Sequence, residues 1–291
     1  MNRAIVRVAL TLLGALAISA CTQNTVGHSL SSSGKIAVIS FLGHQFNALE
    51  NVRPKIDLVE ENYNTSKNVR PILFDEKKLA NILNASPMNR WSHEIDDWGI
   101  DKEVISAASA LLAPQHPTIS FAYDPAAFKD KGIVHFLDED EIAAHVAEII
   151  RAQPGFSSAK DVEAYIVIVP GGRELTAGFP RPSYGVGIAK DFQAYHRLSA
   201  TFEDVYMLHA FFYVMVLDGG TLEKLAGAAG RHKTRFQKRF KGYPGLFVDA
   251  SYWAPDFDAL AQPQRETISK QIQEMLVETL PDTFGDLGLI P

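Results

Sequence analysis

The stretch Val162-Glu-Ala-Tyr-Ile-Val-Ile-Val169 constrains the fold more than any other part of the 291-residue chain. Past Glu163 every side chain is apolar or aromatic, so both faces of an extended strand here must be covered. Such a strand belongs in the middle of a sheet that has helices packed above and below it. Pro170-Gly-Gly172 closes it.

The surrounding segments supply those layers. Lys35 to Leu42 (KIAVISFL) reads as a first core strand, and His44 to Val52 as its hairpin partner. Residues 51–71 are polar and hold Pro54 and Pro71, which predicts an extended loop or an edge strand. Asp75 to Asn84 has helical spacing at Leu79, Ile82 and Leu83. Asp101 is expected to cap a helix carried by Val104, Ile105, Ala108, Leu111 and Leu112, with Pro114 and Pro117 as its stop.

Thr118 to Tyr123 reads as a strand broken at Asp124-Pro125. Asp138 to Ala152 is a second helix, with Ile142, Val146, Ile149 and Ile150 on one face and Pro154-Gly155 ending it. Tyr184 to Ala189 is a short strand, and Asp204 to Leu217 a long one. The long strand turns at Asp218-Gly-Gly220 and returns over Thr221 to Ala226. Pro263 to Leu280 spaces Ile268, Ile272, Met275 or Leu276, and Leu280 as an inward helical stripe. The order predicts an α/β fold: a single sandwich domain over residues 35–291, with a mixed β-sheet flanked by helices.

A different signal occupies the amino terminus. Arg3 and Arg7 precede Val8 to Ile18, an apolar run too short to span a bilayer, for which about 20 residues are needed. It ends in Ile18-Ser19-Ala20-Cys21, around the one cysteine of the chain, which leaves no second thiol for an internal disulfide. The pattern of an aliphatic residue, two small residues and cysteine resembles the lipobox of bacterial lipoproteins, with Ile18 where leucine is usual.

The resemblance implies a signal peptide over residues 1–20, removed before Cys21, and acyl chains on that cysteine. Each chain contributes about 0.8 kcal/mol per buried methylene, so several together anchor firmly. Thr22, in place of aspartate, implies the outer membrane by the common sorting rule, with the domain facing the periplasm. Residues 21–34 (CTQNTVGHSLSSSG) are small and polar and read as a flexible tether.

The hairpin Val214-Met-Val-Leu-Asp-Gly-Gly-Thr-Leu-Glu223 resembles that of periplasmic lipoproteins of the curli-secretion and TolB amino-terminal families. Those families also open on an apolar strand like Ile36 to Phe41. The turn departs from them, since Gly-Gly-Thr stands where Thr-Gly is usual. The resemblance implies a component of envelope assembly.

Catalytic and metal-binding patterns are sparse. None of the nine histidines shares the H-E-x-x-H spacing of a metal helix. His93-Glu94 with Asp96 and Asp97 is the densest ligand group, and reads as a polar loop pinned by Trp91 and Trp98. Ser183 lacks the second glycine of a nucleophile elbow. Asp138/Asp140 reads as a helix start, and Asp256/Asp258 as loop structure. Gly171-Gly172 lacks the phosphate-binding pattern, and Gly185-Val-Gly187 marks a bulge or a close backbone approach in a strand. The reading names no catalytic residue, metal ligand or cofactor.

The formal charge is −6, and losing Arg3 and Arg7 with the leader takes it to −8. A net acidic body argues against nucleic acid as a partner. Against that background Arg231, Lys233, Arg235, Lys238, Arg239 and Lys241 crowd one segment, with Phe236 and Phe240 four apart. They form a candidate anionic-surface site, worth about 1 kcal/mol per basic residue on lipid headgroups. A solvated loop that balances acidic neighbours is the simpler reading. The expected function is a non-enzymatic, membrane-anchored envelope lipoprotein that binds or assembles another envelope component. A lipid-anchored periplasmic hydrolase, its site assembled from distant residues, is the alternative.

Overall fold

A computed structural model describes residues 30–51, 88–95, 98–128, 139–158, 161–171, 185–194, 202–231 and 246–291. The leader, Cys21, the helix expected at 75–84, Ser183, and Lys233, Arg235, Lys238, Arg239 and Lys241 lie outside these residues. Arg231 is the last residue of a strand.

In chain order the elements are β1 (Lys35–Ser40), β2 (Gln45–Asn51), β3 (Met88–Glu94), α1 (Ile100–Leu112) and β4 (Thr118–Ile119). Then come α2 (Glu139–Ala152), α3 (Pro154–Ser158), β5 (Val162–Pro170), β6 (Val186–Ala194) and β7 (Phe202–Asp218). β8 (Lys224–Arg231), β9 (Leu246–Val248) and α4 (Gln262–Asp286) complete them. The nine strands form one mixed sheet. α1 and α4 pack on one face, and α2 covers part of the other, so the domain is an α/β sandwich.

β7 spans the sheet. Its first half pairs antiparallel with β6, and its second half with β5. Phe211 donates its N–H to the Gly185 carbonyl, and its own carbonyl accepts the Gly171 N–H. In an extended residue both groups point to the same side, so β5 and β6 lie end to end along one edge of β7. β1 runs parallel beside β5, and β2 parallel beside β6. The outcome is three long parallel lines, of which only β7 is unbroken. β8 and β9 pair with the other edge of β7.

The expected hairpin of β1 and β2 does not form. β2 continues the line of β1 and pairs with β6 and β3. A tight hairpin would have to reverse the chain at 41–44. There, instead, Phe41 still donates to the Ile168 carbonyl of β5, and the chain runs on.

β5 is the buried centre foreseen from its composition. Tyr165, Ile166, Val167, Ile168 and Val169 are all fully buried. Even residues face Val104, Ile268 and Ile272 in one core; odd residues face Ile142, Val146 and Ile150 in the other. Each such branched side chain contributes about 1.5–3 kcal/mol of transfer free energy.

Other differences have local causes. Residues 88–94, expected to be part of a polar loop, form edge strand β3, with Trp91 opposite Ala48 of β2. Only Thr118 and Ile119 of the strand expected at 118–123 join the ladder, and Asp124 then caps a 3-10 turn. Pro154 does follow the end of α2, but it also opens the short helix α3, a position proline tolerates. α4 runs past Leu280 and through Pro281 to Asp286. Thr279, Leu280, Thr283 and Phe284 are buried there, and this packing outweighs the proline penalty of about 3 kcal/mol.

Glycine marks the closest backbone approach in the sheet. A Cβ on Gly187 would stand 1.9 Å from the Asn47 carbonyl oxygen of β2. Gly187→Ala should therefore destabilise by about 3 kcal/mol, whereas Gly285→Ala in α4, where nothing lies within 4 Å, should be neutral or stabilise by up to about 1 kcal/mol. Urea denaturation of the two variants beside wild type measures both; equal midpoints would refute the close approach.

Candidate functional site

The site is built on the break between β1 and β2. There the chain leaves the ladder for a few residues, and its N–H groups need acceptors. Asp101 supplies them from the first turn of α1. Its carboxylate accepts the Ser40 hydroxyl at 2.5 Å and the Leu42 N–H at 2.8 Å, and also serves the Gly43 backbone. The expected cap role is therefore corrected: Gly99, at φ 76°, is the N-cap, and Asp101 is turned back onto β1. The Tyr123 hydroxyl donates to the Ser40 carbonyl at 2.7 Å and closes the knot. Burial pushes Asp101 above the ordinary carboxylate range, against the pull of Ser40, Leu42 and Gly43. Burial also raises Tyr123, helped by the charge of Asp101.

Trp98 comes next. Its indole N–H donates to the Gly43 carbonyl. Its ring meets Phe46 at 5.7 Å and Phe257 at 5.4 Å, both edge-on, while Phe46 and Phe257 lie 4.7 Å apart. Its carbonyl accepts the Ser269 hydroxyl at 3.0 Å and the Gln273 amide at 3.1 Å, both from α4. Trp98 thus ties the strand break to α4.

Above this aromatic floor opens a cleft of about 600 Å³, within the range of small-ligand sites. One wall is His93, Glu94, Ile95 and Trp98; the other is α4, with Phe257 and Asp258 at its head. Along α4, Gln262, Glu266 and Lys270 form one four-residue line, and Arg265, Ser269 and Gln273 a second. Arg265 Nη1 lies 3.0 Å from the Asp258 carboxylate, while its buried Nε–H has no acceptor among the described residues. Among the described residues Lys270 reaches only Glu274, at 3.9 Å, and both are exposed. The Glu94 carboxylate has no ion-pair partner among the described residues. His93 faces the Pro255 carbonyl through Nε2, and Asp256 lies 3.8 Å from its Nδ1.

Of the groups singled out in the sequence, His93, Glu94 and Asp258 reach this cleft, and Asp96 and Asp97 lie outside the described residues. Among the described residues no three His, Cys, Asp or Glu side chains gather as a metal site. Asp256 accepts the Asp258 N–H at 3.0 Å, and so shapes the turn that presents Phe257. Asp140 pairs with Lys224 of β8. Gly171 packs against the Phe212 backbone, with Gly172 outside the described residues. Asp218 accepts the Thr221 and Gly220 N–H groups at 2.7 and 2.9 Å, bonds that hold its carboxyl below the ordinary range.

No family model and no curated protein matches this chain. The site is therefore read from its own residues. Sequence reasoning missed Trp98, Arg265, Ser269, Lys270 and Gln273 as a group. Their signal is a polar stripe at four-residue spacing beside the apolar stripe of α4, and every solvated helix face carries the same signal. Among the described residues no helix is long and apolar enough to cross a membrane.

Asp101 has a pH signature. Its folded pKa is raised, so ionising it disfavours the fold: stability falls as pH rises from about 3.9, its unfolded value, through the folded one. Asp101→Asn removes that term but leaves the Gly43 N–H facing an amide donor. The variant should be less stable than wild type at pH 4, with the gap narrowing toward pH 8. Urea midpoints across that range measure it; a gap that widens with pH would refute the buried-carboxylate account.

Proposed function

We propose that this chain is a bacterial envelope lipoprotein, held to the outer membrane through acyl chains on Cys21, whose α/β domain binds another envelope component. The observation that carries this reading is the leader: two arginines, a short apolar run and Ile18-Ser-Ala-Cys21. The root of the tether supports it. Leu30 packs on the core, the Ser31 N–H donates to Glu163 at 2.8 Å, and His116 Nδ1 meets the Ser31 carbonyl at 3.2 Å. Residues 30–34, expected as the last part of the tether, thus belong to the folded domain, and a Cβ on Gly34 would collide with Glu163.

From Cys21 to residue 29 the covalent chain can reach at most about 30 Å. From Gly34, β1 and its break lead to Gly43 under the cleft, again about 30 Å at strand rise. The root therefore lies at the opposite end of the β1 line from the cleft. An anchored domain presents its cleft away from the bilayer, where a periplasmic partner can reach it. The binding site in this reading is the cleft between β3 and α4, and its ligand-facing groups are Glu94, Trp98, Arg265 and Lys270.

Intact-mass measurement of protein from native membranes tests the anchor. Wild type should begin at Cys21 and carry acyl chains, and Cys21→Ser should lose them. An unlipidated wild-type mass would overturn the reading and return the domain to consideration as an unanchored periplasmic protein.

A further inference from the structure

We infer that the cleft takes a short peptide with both ends free: its amine at Glu94, its carboxylate at Arg265 and Lys270, and an apolar side chain on Trp98 and Phe257. The inference rests on reading the cleft as the binding site.

Three observations carry it. First, Glu94 on one wall and Lys270 on the other are weakly engaged charges of opposite sign, on an α4 wall that also carries Asp258 and Glu266. Glu94 has no ion-pair partner among the described residues, while across the cleft Lys270 is three-quarters exposed and reaches only an exposed glutamate. Second, the Arg265 guanidinium is half satisfied. Asp258 holds Nη1, and the buried Nε–H has no acceptor among the described residues. An orphaned donor on a charged group is costly, and a carboxylate arriving beside it can be taken in the bidentate geometry that guanidinium favours, after a turn of the side chain. Third, the floor is aromatic and braced. Trp98 is held by Gly43, Ser269 and Gln273, so Trp98 and Phe257 offer a rigid apolar surface.

Size and charge select the class. A cleft of about 600 Å³ suits a ligand of a few residues. Glu94, Asp258 and Glu266 outnumber Arg265 and Lys270 on the lining, which repels nucleotides and other polyphosphates. A dipolar ligand meets both signs at once. Gln262 and Gln273 flank the charged groups of α4; their amide N–H groups are held by Glu266 and Trp98, so their side-chain oxygens are what they offer a peptide N–H.

The test is calorimetric titration of the full chain, in detergent, with Ala-Phe-Ala, its N-acetylated form and its C-amidated form. The unmodified tripeptide should bind, and each cap should weaken binding about tenfold, or about 1.4 kcal/mol. Glu94→Gln should erase the penalty of acetylation alone, and Lys270→Ala should reduce the penalty of amidation alone. Both side chains are exposed, so both variants should melt with wild type. Absence of binding by all three forms, indifference to the caps, or penalties unchanged in the variants would overturn the inference. The two readings fail separately. A lipidated protein that binds none of the peptides leaves the anchor standing, and an unlipidated one that binds them leaves the ligand standing.

Discussion

The carboxylate of Asp101 sits where β1 ends and β2 begins, and accepts from the Ser40 hydroxyl and the backbone of Leu42 and Gly43. A chain that leaves a sheet in mid-layer exposes N–H groups that water cannot reach, each costing about 1–3 kcal/mol if left unmet. One side chain from the start of α1 meets them together. With the break satisfied, β2 continues beside β6, and the sheet runs to twice the length of β1. The same interaction fixes α1 against β1 and leaves the Gly43 carbonyl free for the indole of Trp98. Remove it, and the sheet line, the helix start and the cleft floor lose a common support.

The second constraint is the continuity of β7. β5 and β6 meet end to end at Gly171 and Gly185, and β1 and β2 at Gly43; only β7 passes the seam without a break. A ladder interrupted at one level in three adjacent lines would hinge there. Phe211 prevents this by bonding both halves, and Gly185, at φ 58°, supplies the backbone conformation that returns the chain to the seam. The cleft floor rests on this seam through the bond from the Trp98 indole to the Gly43 carbonyl.

Much of this was legible in the sequence wherever one element carries its own signal. β5 announced itself by being apolar on both faces, α1, α2 and α4 by their period, and the β7–β8 turn by Asp218 and its glycines. What failed was pairing. Neighbours in sequence usually pair, which points β2 to β1, whereas its true partners lie about forty residues away in β3 and a whole crossover away in β6. β3 (MNRWSHE) was hidden by its polarity, since an edge strand needs one covered face only and Trp91 supplies it. Asp101 looked like a cap because an acid at a helix start is one; only the fold shows that it serves another element. The cleft was invisible for a related reason. Glu94 and Arg265 are far apart in the chain, and each taken alone is an ordinary surface charge.

That last point bears on how such a domain can select a ligand. With a formal charge of −6, the body repels anions at long range, but salt screens that field within about 8 Å. Inside the cleft the local arrangement decides, and there Arg265 and Lys270, with Asp258 and Glu266 beside them, stand across from Glu94 above a braced aromatic floor. A net-negative protein so built discriminates by separation of charge more than by its sum. A ligand with one end of each sign gains at both walls, while a purely anionic or cationic one gains at one and loses at the other. Neither the composition nor any single residue contains that property. It arises because Asp101 and β7 hold two distant stretches of chain face to face.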